Sequence, residues 1–174
     1  MSDIYKIVVT GPFSAGKTTF IKAISDIPVV STERKITTED RGIKAETTVA
    51  MDYGRVSLDG RILHLNGTPG QARFDFMWEI LAKEMNAFVV LVDSTDPPSF
   101  PEASDLIDLF YNLHEVPYLV AANKAGMPGA ASDGEVRRGT QAADFVTVMP
   151  VNATSKSSVR QVLLQVIDLI ERYS

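Results

Sequence analysis

The chain of 174 residues is 45% hydrophobic and 22% charged, the balance of one ordinary folded domain, which excludes global disorder. Its 17 basic and 22 acidic side chains leave a net charge of −5, the wrong sign for a nucleic-acid binder. The absence of cysteine excludes disulfides, thiolate metal sites and prenyl or palmitoyl anchors, and Ser2 stands where N-myristoylation requires glycine. No apolar run approaches the roughly 18 residues of a membrane span, so the expectation is a cytoplasmic protein, a single domain over 1–174, with no membrane anchor of its own.

In chain order, Ile4 to Thr10 is an apolar run of the buried-strand kind, and Thr18 to Ser25 reads as a helix ending before Pro28. The charges from Glu33 to Glu46 read as a solvated loop. Thr47 to Ser57 and Arg61 to Asn66 are two strands joined at Leu58-Asp59-Gly60, where Asp-Gly is a hairpin signal. Phe76 to Asn86 is a helical stretch and Ala87 to Val92 a fourth strand. Helix follows from Ser99 to His114, with Pro101 in its first turn, then a strand from Tyr118 to Ala122 and a short helix from Ser132 to Gly139. Phe145 to Val151 is the sixth strand. Ser157 to Tyr173 closes the chain as an amphipathic helix, with Val159, Val162, Leu163, Val166, Ile167 and Ile170 on one stripe. Strands separated by helices require crossover connections, so the pattern predicts an α/β fold. It is a doubly wound, mostly parallel six-stranded sheet with one antiparallel edge strand and helices on both faces. Ligands of such sheets sit beyond the carboxyl ends of the strands, which singles out residues 11–18, 67–71, 93–96, 123–126 and 152–154.

The first of these segments is Gly11-Pro12-Phe13-Ser14-Ala15-Gly16-Lys17-Thr18, a complete G-x-x-x-x-G-K-[ST] phosphate loop. Glycine at both ends lets the backbone curl so that successive N–H groups face one anion, and the following helix adds its positive end. Lys17 is placed to bridge the β- and γ-phosphates, and the Thr18 hydroxyl to ligate Mg²⁺. Gly11, Ser14, Ala15, Gly16, Lys17, Thr18 and Thr19 are therefore the nucleotide-binding residues of this segment.

The later loops resemble one P-loop family in particular. Gly67-Thr68-Pro69-Gly70-Gln71-Ala72-Arg73-Phe74 is similar to the D-x-x-G-Q segment of Ras-like small GTPases in its DTPGQERF variant. Thr47-Thr48-Val49 resembles their switch I threonine segment. Asn123-Lys124-Ala125-Gly126 stands where they have N-K-x-D, and Asn152-Ala153-Thr154 where they have S-A-K. The order and spacing fit over essentially the whole chain, and within the superfamily it resembles prokaryotic members near the gliding-polarity GTPases. The resemblance implies a G domain with strand order 2-3-1-4-5-6, GTP or GDP and Mg²⁺ as ligands, and hydrolysis of GTP to GDP and phosphate. It implies that Thr48 joins Thr18 on Mg²⁺, that Gly70 presents its N–H to the γ-phosphate, and that Gln71 orients the attacking water. Asn123, Lys124, Asn152, Ala153 and Thr154 would belong to the nucleotide site, with Ala153 contributing its backbone. It also implies a regulatory protein partner at the switch regions, of the roadblock (longin-like) kind, where Phe74 to Leu81 is rich in aromatic side chains. Arg34, Arg41 and Arg73 lie where an arginine could act in cis.

Three positions depart from that pattern. Gly67 replaces the Walker B aspartate that normally holds Mg²⁺ through water; Asp93 is the candidate substitute and Asn66 a poorer one. Gly126 replaces the aspartate that accepts two hydrogen bonds from guanine, which weakens the expected rejection of adenine. Asn152 replaces a serine or cysteine. Two functions follow: a GTP-binding switch with slow, partner-regulated hydrolysis, or a nucleotide-binding interaction module with little or none. A P-loop kinase would need an arginine-bearing lid, for which Arg137-Arg138 is the only pair.

Overall fold

The computed structural model describes residues 3–40, 43–68 and 82–173, with residues 31–50 described through their backbone. Its organising strand is β1 (Asp3–Thr10), whose run Ile7 to Thr10 is buried because strands flank it on both sides and helices cover both faces. β3 (Ile43–Leu58) and β4 (Arg61–Gly67) form the expected hairpin. Asp59 and Gly60 both adopt positive φ, at 52° and 77°, the backbone that a two-residue turn with right-handed twist demands. β4 then runs parallel beside β1. On the other side come β5 (Ala87–Asp93), β6 (Tyr118–Asn123) and β7 (Thr147–Val151), all parallel.

The longer helices of the described residues are α1 (Lys17–Ile24), α2 (Phe100–Leu113), α3 (Asp133–Thr140) and α4 (Lys156–Arg172). Alternation along the strands divides the core between two faces. Ile7, Val9, Val89 and Leu91 pack with Phe20, Ile21 and the Val159–Ile170 stripe of α4. Val8, Phe88, Val90 and Val92 pack with Phe100, Ile107 and Phe110 of α2 and Val136 of α3. No helix among the described residues is long and apolar enough to cross a membrane.

Among the described residues the sheet has seven strands, in the order β2-β3-β4-β1-β5-β6-β7. The six expected strands are β1 and β3 to β7, and they stand in the expected order. The seventh is β2 (Val30–Asp40), which pairs antiparallel with β3 from Val30↔Tyr53 to Asp40↔Ile43. It replaces most of the loop expected over Glu33 to Glu46, and it makes two antiparallel pairings where one edge strand was expected. The charges conceal a β-branched series, Val30, Thr32, Ile36, Thr37 and Thr38, and charged residues are what protects an exposed sheet edge. The expected helix from Phe76 to Asn86 lies mostly outside the described residues; 82–84 are helical.

Candidate functional site

The carboxyl end of β1 turns directly into the phosphate loop. Gly11 has φ 149°, and a Cβ there would lie 2.1 Å from the carbonyl oxygen of Leu91 on the neighbouring strand. Gly16 has φ 106°, and its Cβ would lie 2.5 Å from the Asn123 amide nitrogen. Only glycine meets both demands. Between them Ser14 is left-handed at φ 66°, and the Ala15 N–H donates to the Pro12 carbonyl at 3.1 Å, so the segment closes on itself. Such alternation of backbone hand is what turns successive N–H groups toward one point. Gly16 offers no side chain to cap α1, so the positive end of that helix faces the loop without a side-chain cap.

Lys17 is half-buried and donates to the Gly11 carbonyl at 2.6 Å, which folds its ammonium over the loop. Burial lowers its pKa from 10.5 to about 8, against the opposing charges of Glu102 and Asp52. Thr18 and Thr19 follow on α1, both exposed. The Thr18 hydroxyl donates to the Asp52 carboxylate of β3. Sequence reasoning missed Asp52; the signal lay in hairpin register, since Asp52 pairs directly with Gly67, the position of the missing acid. Mg²⁺ takes one or two protein oxygens together with phosphate and water. The Thr18 hydroxyl and Asp52 carboxylate are hard oxygen donors of that kind, and among the described residues no group of three or more acidic or histidine side chains is gathered.

Thr48, the other expected metal ligand, stands on β3 opposite Lys35. It precedes Asp52 by four residues, about 13 Å of strand rise. The backbone therefore brings Asp52, and not Thr48, beside Thr18. Gly70 and Gln71 lie outside the described residues, as do Arg41, Arg73 and the aromatic segment from Phe74 to Leu81.

At the far side of the loop, Asn123 closes β6. Its amide donates to the Ala15 carbonyl at 3.0 Å, and its carbonyl oxygen accepts from the N–H groups of Ala153 at 3.0 Å and Lys124 at 2.9 Å. The Ala153 N–H, part of the backbone expected to serve a ligand, thus donates to Asn123. Asn152 accepts from the N–H and hydroxyl of Thr154 at 3.1 and 2.7 Å, a local turn that shapes this segment. Gly126 has φ 86° with open space around its missing Cβ, so the backbone hand itself disfavours the absent aspartate. Lys124 pairs with Asp93 at 3.0 Å. Asp93 also accepts from the N–H and hydroxyl of Thr95, at 2.9 and 2.6 Å. Burial pushes the Asp93 carboxyl up, but the Thr95 bonds and the Lys124 ammonium outweigh it and hold the pKa below its ordinary value. Asp93 therefore braces the loop after β5, with its two oxygens engaged by Thr95 and Lys124. His64 sits against the Tyr53 hydroxyl at 2.9 Å, and burial with Arg55 and Lys6 nearby keeps it disposed to neutrality.

A family model described as conserved hypothetical ATP binding protein matches residues 9–173. An uncharacterized protein of Methanocaldococcus jannaschii is 34% identical over 123 residues, 70% of this chain and 71% of that one. ADP-ribosylation factor-like protein 8b of Arabidopsis thaliana is 35% identical over 88 residues, 49% of this chain and 48% of that one. Mutual gliding-motility protein MglA of Myxococcus xanthus is 27% identical over 146 residues, 76% and 73% of the two chains. The chain belongs to the Ras-like small GTPases of the P-loop class. It is a nucleotide-binding protein.

Proposed function

We propose that this Ras-like chain is a guanine-nucleotide switch whose hydrolysis of GTP is slow and governed by a protein partner. The observation that carries the reading is the closed, partly left-handed loop with Lys17 folded onto Gly11. In use, the loop N–H groups and the Lys17 ammonium would bind the β- and γ-phosphates, and the end of α1 would add its positive field. Mg²⁺, held at Thr18, would neutralise charge on the β- and γ-oxygens. Gln71 would orient the water that attacks the γ-phosphorus, and Gly70 would donate to the oxygens that gain charge. Loss of phosphate would release the segments around Thr48 and Gly70, the order–disorder change on which a partner of the roadblock kind would act. Asn123, Lys124 and the 152–154 segment would hold the base.

Gly67 and Gly126 favour one second reading, a nucleotide-binding module that hydrolyses little or nothing. Two measurements separate the readings. In a competition titration with Mg²⁺, GTP displaces a fluorescent nucleotide at lower concentration than ATP, and equal potency removes guanine from the proposal. In single-turnover assays GTP is lost slowly, and Gln71→Ala reduces the rate at least about tenfold. No turnover with or without a partner leaves the binding module.

A further inference from the structure

We propose that Asp52 on β3 supplies the metal-holding carboxylate that β4 lacks, so that the acid has moved one strand across the hairpin. The inference rests on the nucleotide-binding reading above and assigns a residue outside the motif segments already described. Residues directly opposite on an antiparallel pair point to the same face of the sheet. Asp52 and Gly67 are such a pair, and a Cβ built on Gly67 would lie 3.4 Å from that of Asp52. A carboxylate from either position therefore starts from nearly the same place.

Its reach is also on the page. Thr18 donates its hydroxyl proton to Asp52. A hydroxyl that ligates a cation does so through its lone pairs and still has that proton to give. A cation beside Thr18 consequently has the Asp52 carboxylate within one water molecule, the distance at which Mg²⁺ is usually held by an acid that leaves its hydration intact. The charge of Asp52 is felt by Lys17 as well, which places it in the electrostatics of the phosphate site.

Gly67 completes the argument. Its added Cβ would meet Ile21 Cδ1 at 3.0 Å as well as Asp52, so the position has little room for a second acid. Two carboxylates so close could not both ionise without mutual cost. The glycine at 67 and the acid at 52 are two halves of one exchange.

The test measures nucleotide affinity with Mg²⁺ and with EDTA, and takes the ratio as the readout. Wild-type protein is expected to bind GDP more tightly with Mg²⁺ than with EDTA. Asp52→Asn is expected to lose about 10- to 100-fold of that ratio, while affinity in EDTA stays within about threefold because the phosphate loop is intact. The exchange variant Asp52→Gly/Gly67→Asp is expected to recover the ratio. Full Mg²⁺ dependence in Asp52→Asn overturns the inference. Should Asp52→Asn fail to fold, the exchange variant decides alone: a retained ratio supports the assignment and a lost one overturns it. Failure of the underlying reading looks different, because wild-type protein would then bind no nucleotide under either condition.

Discussion

Lys17 holds a positive charge where its surroundings disfavour one. With its pKa lowered to about 8 by burial, the folded protein binds fewer protons between pH 8 and 10.5 than the unfolded chain does. The depressed ammonium thus opposes folding below pH 8, and that opposition fades as pH rises toward 10.5, so its contribution to stability increases with pH across this window. A polyphosphate reverses the balance by favouring the charged form. Nucleotide binding should therefore draw in about half a proton at pH 8, with affinity falling as pH rises further. Calorimetric titrations at pH 8 in two buffers of different ionisation heat measure this directly. Equal apparent enthalpies would show that Lys17 is already fully charged in the free protein.

At the scale of single elements, α3 is a self-contained case. Ser132 accepts from the Glu135 N–H at 3.2 Å, and the Glu135 carboxylate accepts from the Ser132 N–H at 3.0 Å. Ser132→Ala should cost about 1 kcal/mol, read as a lower denaturant midpoint at unchanged slope. Nucleotide affinity should hold, because α3 packs chiefly on α2 and β7. The Ser132-Glu135 spacing makes this start legible from sequence, as do the Asp59-Gly60 turn and the buried runs of β1, β5 and β6. β2 was not legible, because its charges mark an exposed sheet edge as readily as a loop. The closed turn from Gly11 to Gly16 was legible since adjacent residues supply all of it. Asp52 was not: its role comes from being opposite Gly67, and register between strands has no local signature. The partners of Asp93 were not legible for a related reason, since a strand end names a neighbourhood without revealing that Lys124 and Thr95 engage the carboxylate.

At the scale of the molecule, β1, β5 and β6 are flanked by strands on both sides, whereas among the described residues β2 is paired on one side alone. Amides of Ile7 to Thr10, Phe88 to Val92 and Leu119 to Ala122 should exchange with deuterium only through global unfolding, and those of β2 through local opening. Nucleotide at a hundred times its Kd should slow the first group by the equivalent of about 2.7 kcal/mol. Uniform protection of all seven strands would contradict this gradient. Asn123 carries a different consequence of the same architecture. Its single amide fastens its own loop at Lys124 to Ala15 and to Ala153, segments far apart along the chain. Because that grip needs a donor and an acceptor on one uncharged group, aspartate could not replace it: a second oxygen facing the Ala15 carbonyl would prise the seam apart. The two ends of a bound nucleotide would then be gripped by parts that no longer hold each other in place.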